Sequence, residues 1–356
     1  MTAAPAFIPV DVADITAAWL EEVLQPHAPG ARIGSIAIAE AHSGTTGRAR
    51  VALTHDDARL PGSVFVKLPP FDEGQRKFVE VQGMGRAEAR FYAELAQDVP
   101  VRVPRTFHAS HDDQGRYVMV LEDLQALGAR YPSAKDPHLA SFVQATIDAF
   151  AALHASFTGS PRFAEGGDLA WVEQRSRSYG SAAPLVHFAV QQLGDALPPA
   201  SRELAAAYVP RAERIPALLA AGTPTLIHGD AHIGNMFVLG DTPGFLDWAM
   251  VSAAPGMRDV AYFLGGSVGT ELRRARERDL VARYCRQLGA HGVVLAEDEA
   301  WQQYRLNLLT AWIAALVTAA MGSHWQPIEI GMAATRRADA AIADHDVAEL
   351  LRTRLP

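Results

Sequence analysis

Cysteine is almost absent from this sequence, and so is any excess of positive charge. The single cysteine, Cys285, can form no internal disulfide and has no neighbours for a cysteine-based metal site. The formal net charge of -8 at pH 7 provides no basic field, which argues against nucleic acid or an anionic membrane as the main partner. We therefore expect small-molecule partners. We expect the protein itself to be a monomer or a homodimer.

Long hydrophobic runs are also lacking. The longest, LLTAWIAALVTAAM at residues 308–321, is shorter than the roughly 20 residues of a membrane-spanning helix, and it predicts a buried helix instead. The N-terminus has neither the basic segment nor the continuous apolar segment of a signal peptide. These absences predict a cytoplasmic protein. The rest of the composition is ordinary for a globular chain of about two domains.

Lysine is scarce as well, since only Lys67, Lys77 and Lys135 occur among the 32 basic residues. A lysine inside an apolar run is therefore informative, and Lys67 lies within VFVKL at residues 64–68. Its alternative interpretation is an edge-strand lysine whose charged end extends into solvent.

Alternating apolar residues predict β-strands in the first third of the chain. Residues 36–38 and 49–53 alternate on either side of SGTTG, residues 43–47, which predicts an antiparallel pair. The VFVKL segment predicts a third strand. Residues 105–110 and 117–121 predict a further pair around the turn HDDQGR.

Helical periodicity begins with residues 84–95, after a polar, glycine-containing connection, and Glu88 lies on the apolar stripe of this helix. Later helices are predicted at residues 142–153, 185–193, 204–219 and from about 260 to the end, and the segments MFVL and GFLDW predict a β-hairpin around GDTPG. The predicted fold is thus α+β. A small N-terminal antiparallel-sheet domain with a helix, residues 1–122, precedes a larger, mainly helical domain, residues 123–356.

The segment LIHGDAHIGNMFVLGDTPGFLDWAM, residues 226–250, places polar side chains among apolar ones. His228, Asp230 and Asn235 have the H-x-D-x-x-x-x-N spacing of the protein-kinase catalytic loop, in which the aspartate accepts a hydroxyl proton and the asparagine holds a metal ion. The hairpin then presents Asp247, and magnesium on nucleotide phosphates needs such a second acidic ligand. The pattern predicts phosphoryl transfer with ATP or GTP and Mg²⁺.

Three upstream features fit the same chemistry. Lys67 would pair with the nucleotide phosphates as the V-A-I-K lysine of kinases does, and Glu88 needs a cationic partner, for which Lys67 is the candidate. The SGTTG turn offers backbone N–H groups and hydroxyls to phosphates. The segment YVMVLEDL ends a strand where adenine would pair with backbone groups. The predicted nucleotide contacts are Ser43, Gly44, Thr45, Thr46, Lys67, Glu88, Leu121 and Asp123.

These residues, in this order, resemble the aminoglycoside phosphotransferase and choline kinase-like superfamily of small-molecule kinases. The family loop H-G-D-x-H-x-x-N is matched within residues 228–235, and its following D-W step is matched at residues 247–248. The segments EARFYAEL, VLEDL, ALHA and MRDVAYFL extend the resemblance along the chain. The EARFY and VLEDL segments are most similar to the ecdysteroid kinase-like branch and its bacterial relatives.

The resemblance implies a bilobal protein-kinase-like fold and an enzyme that transfers the γ-phosphate of ATP or GTP to a hydroxyl group of a small molecule. Asp230 would be the catalytic base, and Asn235 and Asp247 the magnesium ligands. Asp259 resembles a position that buttresses the catalytic loop in the family, with a helix N-cap as the alternative. His228 and His232 are expected to support the loop.

The acceptor is the least specified part of the expected reaction. In the family it binds between the catalytic loop and the helical lobe, and aromatic residues there either form core or line a pocket. In this chain they are Trp171, Tyr179, Trp301, Tyr304, Trp312 and Trp325. As pocket residues they favour a bulky, partly apolar acceptor, or a choline-type acceptor in an aromatic cage. A polycationic aminoglycoside would need clustered acidic residues. In the two segments that would form the acceptor site, residues 157–221 and 295–356, the only run of acidic residues is 297–299.

Other function classes remain open from the sequence. A catalytically silent, nucleotide-binding regulator would show loss of the base or of a metal ligand, and none is missing. A metal-dependent hydrolase would bind zinc through His228, Asp230 and His232, which leaves Asn235 unexplained. A purely structural polar network is a further interpretation. For Asp123, a solvated position is the alternative to a nucleotide contact.

Overall fold

The computed structural model of the chain describes residues 7–178, 182–322 and 328–356. Tyr179 and Trp325 lie outside the described residues. The chain divides into two compact units: the first contains residues 1–130 and 237–250, and the second contains residues 131–236 and 251–356. The domain boundary between residues 122 and 123 stays a prediction.

The first unit is built on a five-stranded antiparallel sheet with the strand order β1-β2-β3-β5-β4. Its strands are β1 (Ile33–Ser43), β2 (Gly47–His55), β3 (Ser63–Leu68), β4 (Thr106–His111) and β5 (Tyr117–Glu122). Alternate side chains enter the core, so that Val51, Val64 and Val66 are fully buried. The predicted strand pairs around SGTTG and HDDQGR are confirmed.

Three helices accompany this sheet, namely α1 (Ala17–Leu24), α2 (Glu73–Val81) and α3 (Met84–Glu94). The Oγ1 of Thr16 caps α1 by accepting a hydrogen bond from the N–H of Trp19 at 3.1 Å. Helix α2 lies where the sequence predicts only a polar connection, so that prediction is wrong. The Oδ1 of Asp72 accepts from the N–H of Gln75 at 2.9 Å, and this cap stabilises a helix that contains few apolar residues.

The predicted hairpin is present as β7 (Met236–Leu239) and β8 (Thr242–Phe245), but its second strand begins within the predicted turn GDTPG and ends before most of the segment GFLDW. Isolated bridges attach it to the first unit, because Val238 pairs with Arg130 and Gly244 pairs with Arg102. The segment that contains Asp247 is therefore part of the first unit.

The second unit is mainly helical, as predicted. Its helices are α4 (Leu139–Phe157), α5 (Ala170–Ser178), α6 (Ala183–Leu193), α7 (Pro199–Tyr208), α8 (Ile215–Leu219), α9 (Met257–Ser267), α10 (Thr270–Ala290), α11 (Glu297–Ala320), α12 (Ile328–Asp344) and α13 (Val347–Arg354). Two short strands, β6 (Thr225–Ile227) and β9 (Ser252–Ala254), pair antiparallel. The predicted single helix over residues 204–219 is wrong, because Pro210 and Pro216 cannot donate the backbone bonds that would continue α7.

The apolar run at residues 308–321 lies almost entirely in α11. Tyr304 and Trp312 of this helix are fully buried, so these two aromatic residues belong to the core. None of the helices formed by the described residues has an apolar stretch long enough to cross a bilayer.

Candidate active site

Lys67 is the centre of a charged cluster in the first unit. Strand β3 lies between β2 and β5, and Lys67 is only 4% exposed. Its Nζ donates to Oε1 of Glu88 at 2.6 Å and lies 3.4 Å from Oδ1 of Asp247. The alternative of a solvated edge-strand lysine is therefore wrong. Glu88 is fully buried and is not a surface acid.

The charges of this cluster depend on one another. Burial by itself lowers the pKa of Lys67, but the carboxylates of Asp247 and Glu88 more than offset it and raise that pKa. Burial raises the pKa of Glu88, and the Lys67 ammonium opposes the rise. A contact of 2.6 Å is typical of a charge-assisted hydrogen bond between ammonium and carboxylate. Lys67 is thus a fixed positive charge.

Asp247 is held in an uncommon backbone conformation. Its φ of 64° lies in the left-handed region, which is strained for a residue other than glycine. The next residue, Trp248, is fully buried and stacks on Phe91 of α3, with ring centroids 4.0 Å apart. Because α3 also carries Glu88, this stack holds both carboxylates next to the ammonium group of Lys67.

The turn between β1 and β2 is fixed by its own hydrogen bonds. The Oγ of Ser43 accepts from the N–H of Phe71 at 2.9 Å, and the N–H of Gly44 donates to the carbonyl of Thr46 at 3.1 Å. Thr46 is 5% exposed, whereas Thr45 is half-buried. The turn is therefore preformed, and part of its hydrogen-bonding capacity is used within the chain.

Asp123 ties the end of β5 to the sheet. Leu121 is buried and pairs with strands on both sides. The Oδ2 of Asp123 accepts from Nε of Arg50 at 2.7 Å and from Oγ of Ser63 at 2.5 Å. At 4% exposure this carboxylate is not solvated, so that alternative is wrong. Its side chain is bonded to the protein, which leaves the backbone for a nucleotide base.

Asp230 lies in the second unit, in the loop of residues 228–235 that follows β6. Its Oδ1 accepts from the hydroxyl of Tyr262 at 2.6 Å, and its Oδ2 accepts from Nδ2 of Asn235 at 3.0 Å. The same Nδ2 donates to the carbonyl of Asp230 at 3.0 Å. These bonds fix the carboxylate and leave the Asp230 side chain 32% exposed.

Asp259 of helix α9 holds the start of the same loop. Its Oδ2 accepts from the N–H of His228 at 2.7 Å, and its Oδ1 accepts from the N–H of Gly229 at 3.0 Å. Asp259 is fully buried, and helix α9 begins two residues before it. Its bonds go to the loop and not to the first turn of α9, so the N-cap alternative is wrong.

The two histidines of the loop make local contacts. His228 is fully buried, and its Nδ1 accepts from the N–H of Asp230 at 3.3 Å. The Nδ1 of His232 accepts from the N–H of Gly234 at 3.0 Å, and its Nε2 lies 3.5 Å from Oδ2 of Asp230. Within the described ranges, no group of three or more His, Cys, Asp or Glu residues is placed to hold a metal ion. This argues against the zinc interpretation.

Asp230 is ionised at neutral pH. Burial by itself raises the pKa of this carboxyl group, but His232 and the hydrogen bond from Tyr262 hold the pKa well below its usual range. The pKa of Asp259 is likewise lowered, because the contacts with His154, His228 and the Gly229 amide outweigh burial. The loop therefore contains one partly exposed and one buried carboxylate, both charged.

Magnesium fits the donor set of the predicted metal ligands. Mg²⁺ prefers oxygen ligands and uses one or two protein carboxylates together with substrate phosphates. Asp247 supplies a carboxylate. Asn235 uses its Nδ2 for Asp230, so its amide oxygen is the atom that can serve as a ligand.

A comparison with protein families identifies the family of this chain. Residues 38–307, more than half of the chain, match the model of the phosphotransferase enzyme family. The chain belongs to this family. The resemblance that the loop motif indicates is thereby confirmed, while the ecdysteroid kinase-like branch stays a prediction. No curated protein matches this phosphotransferase-family chain.

Solved structures of kinases are similar to this phosphotransferase. The GDP complex of wild-type aminoglycoside 2'-phosphotransferase-IIIa has a TM-score of 0.53 and 14% identity, covering 91% of this chain and 98% of that chain. The Plasmodium vivax ethanolamine kinase has a TM-score of 0.52 and 11% identity, covering 90% and 84%. A choline kinase from Cryptosporidium parvum Iowa II has a TM-score of 0.51 and 9% identity, covering 95% and 96%. The predicted α+β, protein-kinase-like fold is confirmed.

Tyr262, Ser267 and His154 of this phosphotransferase contact the loop or Asp259 and have no role in the sequence-based predictions. The Nε2 of His154 lies 3.4 Å from Oδ2 of Asp259. The hydroxyl of Tyr284 lies in turn 2.8 Å from Nδ1 of His154. The segments ALHA and MRDVAYFL contain His154 and Tyr262. These segments indicate the family, but a one-dimensional pattern does not indicate the partner of either residue.

Proposed function

We propose that this phosphotransferase transfers the γ-phosphate of ATP or GTP to a hydroxyl group of a small molecule in the cytoplasm. The observation that carries the proposal is the geometry of Asp230. Its carboxylate is ionised, 32% exposed and hydrogen-bonded on both oxygens, by Tyr262 and by Asn235. Phosphoryl transfer depends mainly on positioning and electrostatic stabilisation, and a carboxylate held in one orientation suits that need.

In the proposed mechanism, Asp230 orients the acceptor hydroxyl and takes its proton as the oxygen forms its bond to the γ-phosphorus, while the bond from this phosphorus to the β–γ bridging oxygen breaks and ADP or GDP leaves. The low pKa of Asp230 makes it a weak base, so orientation contributes more than early proton removal. Asn235 and Asp247 would hold magnesium, which would supply positive charge against the negative charge of the phosphates. Asp259, His228 and His232 support the loop.

The proposed nucleotide contacts lie in the first unit. Lys67, whose position is fixed by Glu88, places a buried positive charge at the phosphates. The turn of residues 43–46 contacts the phosphates through backbone N–H groups and hydroxyls. Asp123 binds the base through its backbone, because its carboxylate is bonded to Arg50 and Ser63. Leu121 pairs with strands on both sides and is the less suited of the two predicted contacts.

For the acceptor, we propose a bulky and partly apolar small molecule. Trp171 and Trp301 are partly exposed, unlike the core residues Tyr304 and Trp312. The ring of Trp301 stacks on Tyr304, and the guanidinium of Arg278 lies 4.3 Å from its centroid. Both contacts use the faces that an aromatic cage would offer to a quaternary ammonium group. This arrangement disfavours a choline-type cage at Trp301.

Phosphotransfer assays with labelled ATP or GTP and Mg²⁺ test the proposal. The acceptor panel contains hydroxylated metabolites, sterol-like compounds, macrolides, aminoglycosides, choline and ethanolamine, and Asp230→Asn is the matched control. We expect labelled product from a bulky, partly apolar acceptor with the natural protein and almost none with the variant. Equal product from both proteins would contradict the role of Asp230. Binding of Mg-ATP without transfer to any acceptor would instead identify a regulator.

A further inference from the structure

Helix α9 contacts the loop of residues 228–235 at several points. Asp259 accepts the N–H groups of His228 and Gly229. Three residues later, Tyr262 donates its hydroxyl to Oδ1 of Asp230 at 2.6 Å, and side chains three residues apart lie on the same side of a helix. At the end of α9, the Oγ of Ser267 accepts from the N–H of Ile233 at 2.9 Å. Helix α9 therefore acts as a template for the loop.

The Tyr262 contact differs from the others because it reaches the carboxylate itself and not the backbone. A distance of 2.6 Å is typical of a charge-assisted bond from a hydroxyl to a carboxylate. The second carboxylate oxygen of Asp230 is bonded to Asn235 at 3.0 Å. Because both oxygens accept hydrogen bonds, rotation of the carboxylate about its side-chain bond would break at least one of them.

We propose that Tyr262 is a positioning residue for the transfer reaction, which holds Asp230 in the orientation that receives the acceptor hydroxyl. This inference rests on the proposed function, because it assigns a role relative to Asp230. Tyr262 does not itself exchange the transferred proton. Burial, together with the charge of Asp230, raises the pKa of the Tyr262 phenol well above its usual range, so the phenol stays protonated and acts as a donor.

Steady-state hydrolysis of Mg-ATP, with water as the acceptor, tests the proposal without an identified substrate. We expect Tyr262→Phe to lower kcat by about 10- to 100-fold, while KM for Mg-ATP stays within about twofold because the nucleotide contacts are unchanged. A Tyr262→Phe enzyme with the natural kcat would overturn the proposal. A higher kcat would overturn it as well, since it would mean that the tyrosine competes with the acceptor.

Tyr304→Phe is the matched control for this variant. Its hydroxyl also donates to a carboxylate, Oε2 of Glu277 at 2.7 Å, in the core of the same unit. The control therefore loses the same kind of bond at a position with no contact to the loop in the described structure. We expect its kcat to remain at the natural value. An equal loss of kcat in both variants would mean that Tyr262 contributes only to folding.

An NMR chemical shift tests the contact independently of turnover. The protein carries tyrosine labelled with ¹³C at Cζ, and the Tyr262 signal is assigned by its loss in Tyr262→Phe. At pH 7, where the phenol is protonated, we expect Asp230→Asn to shift the Cζ signal of Tyr262, because a bond to a carboxylate is replaced by a bond to a neutral amide, and to leave that of Tyr304 unchanged. An unchanged Tyr262 signal would show that the hydroxyl is not bonded to Asp230. Because this result needs no activity, it separates failure of the Tyr262 proposal from failure of the proposed function.

Discussion

The two charged sites of this phosphotransferase differ in how their carboxylates are held. In the first unit, Lys67 and Glu88 have side chains that are 6% and 0% exposed, and each compensates the other's charge. In the second unit, the Asp230 side chain is 32% exposed, and a phenol and an amide donate to its oxygens.

This difference has a physical consequence for what each site can do. A buried ion pair is costly to desolvate and is stable only while both partners are present, but it supplies a charge of fixed position. A carboxylate held by neutral donors keeps its negative charge available to a partner outside the protein. The first arrangement suits binding of phosphates, and the second suits contact with a reacting hydroxyl group.

The largest expected effect is on turnover, from Asp230→Asn. The amide cannot accept the proton, so phosphotransfer should fall by about 10²- to 10⁴-fold. Affinity for Mg-ATP should change by less than about threefold, because Lys67 and the turn of residues 43–46 are intact. Phosphotransfer assays and calorimetric titration measure the two quantities. A parallel loss of affinity would remove the functional distinction between the sites.

The next largest effect is expected on stability, from Lys67→Met. This substitution leaves Glu88 buried without its cation and should lower the free energy of unfolding by about 3 to 5 kcal/mol, measured by urea denaturation at pH 8. Lys77→Met is the control, because the side chains of Lys77 and Glu73 are 73% and 80% exposed. Exposed pairs of this kind contribute less than about 1 kcal/mol.

The double variant Lys67→Met, Glu88→Leu completes this test. With both charges removed, the free energy of unfolding should recover, since an apolar pair replaces an ion pair in the core. Affinity for Mg-ATP should not recover, because the positive charge is still missing. If the single variant were as stable as the Lys77 control, Lys67 would not compensate the buried charge of Glu88.

A smaller effect is expected from Asp259→Asn, which weakens the hydrogen bonds to the amides of His228 and Gly229. We expect a loss of about 1 to 3 kcal/mol in the free energy of unfolding, together with reduced turnover. Asp339→Asn is the control, since Oδ1 of Asp339 accepts from the N–H and Oγ of Ser201 at 2.7 and 2.8 Å. The control should lose comparable stability and keep its turnover. Equal turnover in both variants would exclude a buttressing role for Asp259.

The smallest effect concerns pH. Burial, with a contribution from His27, lowers the pKa of His108 in the first unit to about 4. The unfolded chain therefore binds more protons between about pH 6.5 and 4, and stability falls as pH falls through this window. Asp259 in the second unit has a lowered pKa, so its contribution is lost only as pH falls below the usual carboxyl range.

Hydrogen exchange measured at pH 7 and pH 5 tests this contrast between the units. Protection factors in β4 and β5 should decrease by the equivalent of about 1 kcal/mol at pH 5, and those in α9 should change less. In His108→Gln, most of the decrease in β4 and β5 should disappear, and the remainder is due to His111, whose pKa burial also lowers. Equal decreases in both units, or a decrease of unchanged size in the variant, would contradict the assignment to His108.

Much of the fold follows from local patterns in the chain. The strands β1 to β5 follow from alternating apolar residues, and Lys67 stands out because lysine is scarce and its neighbours are apolar. Helix α2 is not predicted in this way, because it contains few apolar residues and is stabilised by the cap from Asp72. The break after α7 is also missed, although Pro210 and Pro216 are visible in the sequence.

The candidate site, like the fold, is predicted only in part from the sequence. The spacing of His228, Asp230 and Asn235 within one short loop is a property of the sequence, and it suffices to predict kinase chemistry and the family. Partners from distant segments are not encoded in spacing. Tyr262 is 32 residues from Asp230, and His154 is 105 residues from Asp259.

The sequence by itself therefore determined the strand pattern of the first unit, the composition of the loop of residues 228–235 and the family to which the chain belongs. Only the tertiary structure decided that Glu88 is fully buried against Lys67, that Asp247 adopts a left-handed backbone conformation, and that Tyr262 donates to Asp230. Periodicity specifies which face of a helix is buried, because apolar burial depends on local spacing. The identity of the group that meets that face depends on how separate elements pack, which no single segment specifies.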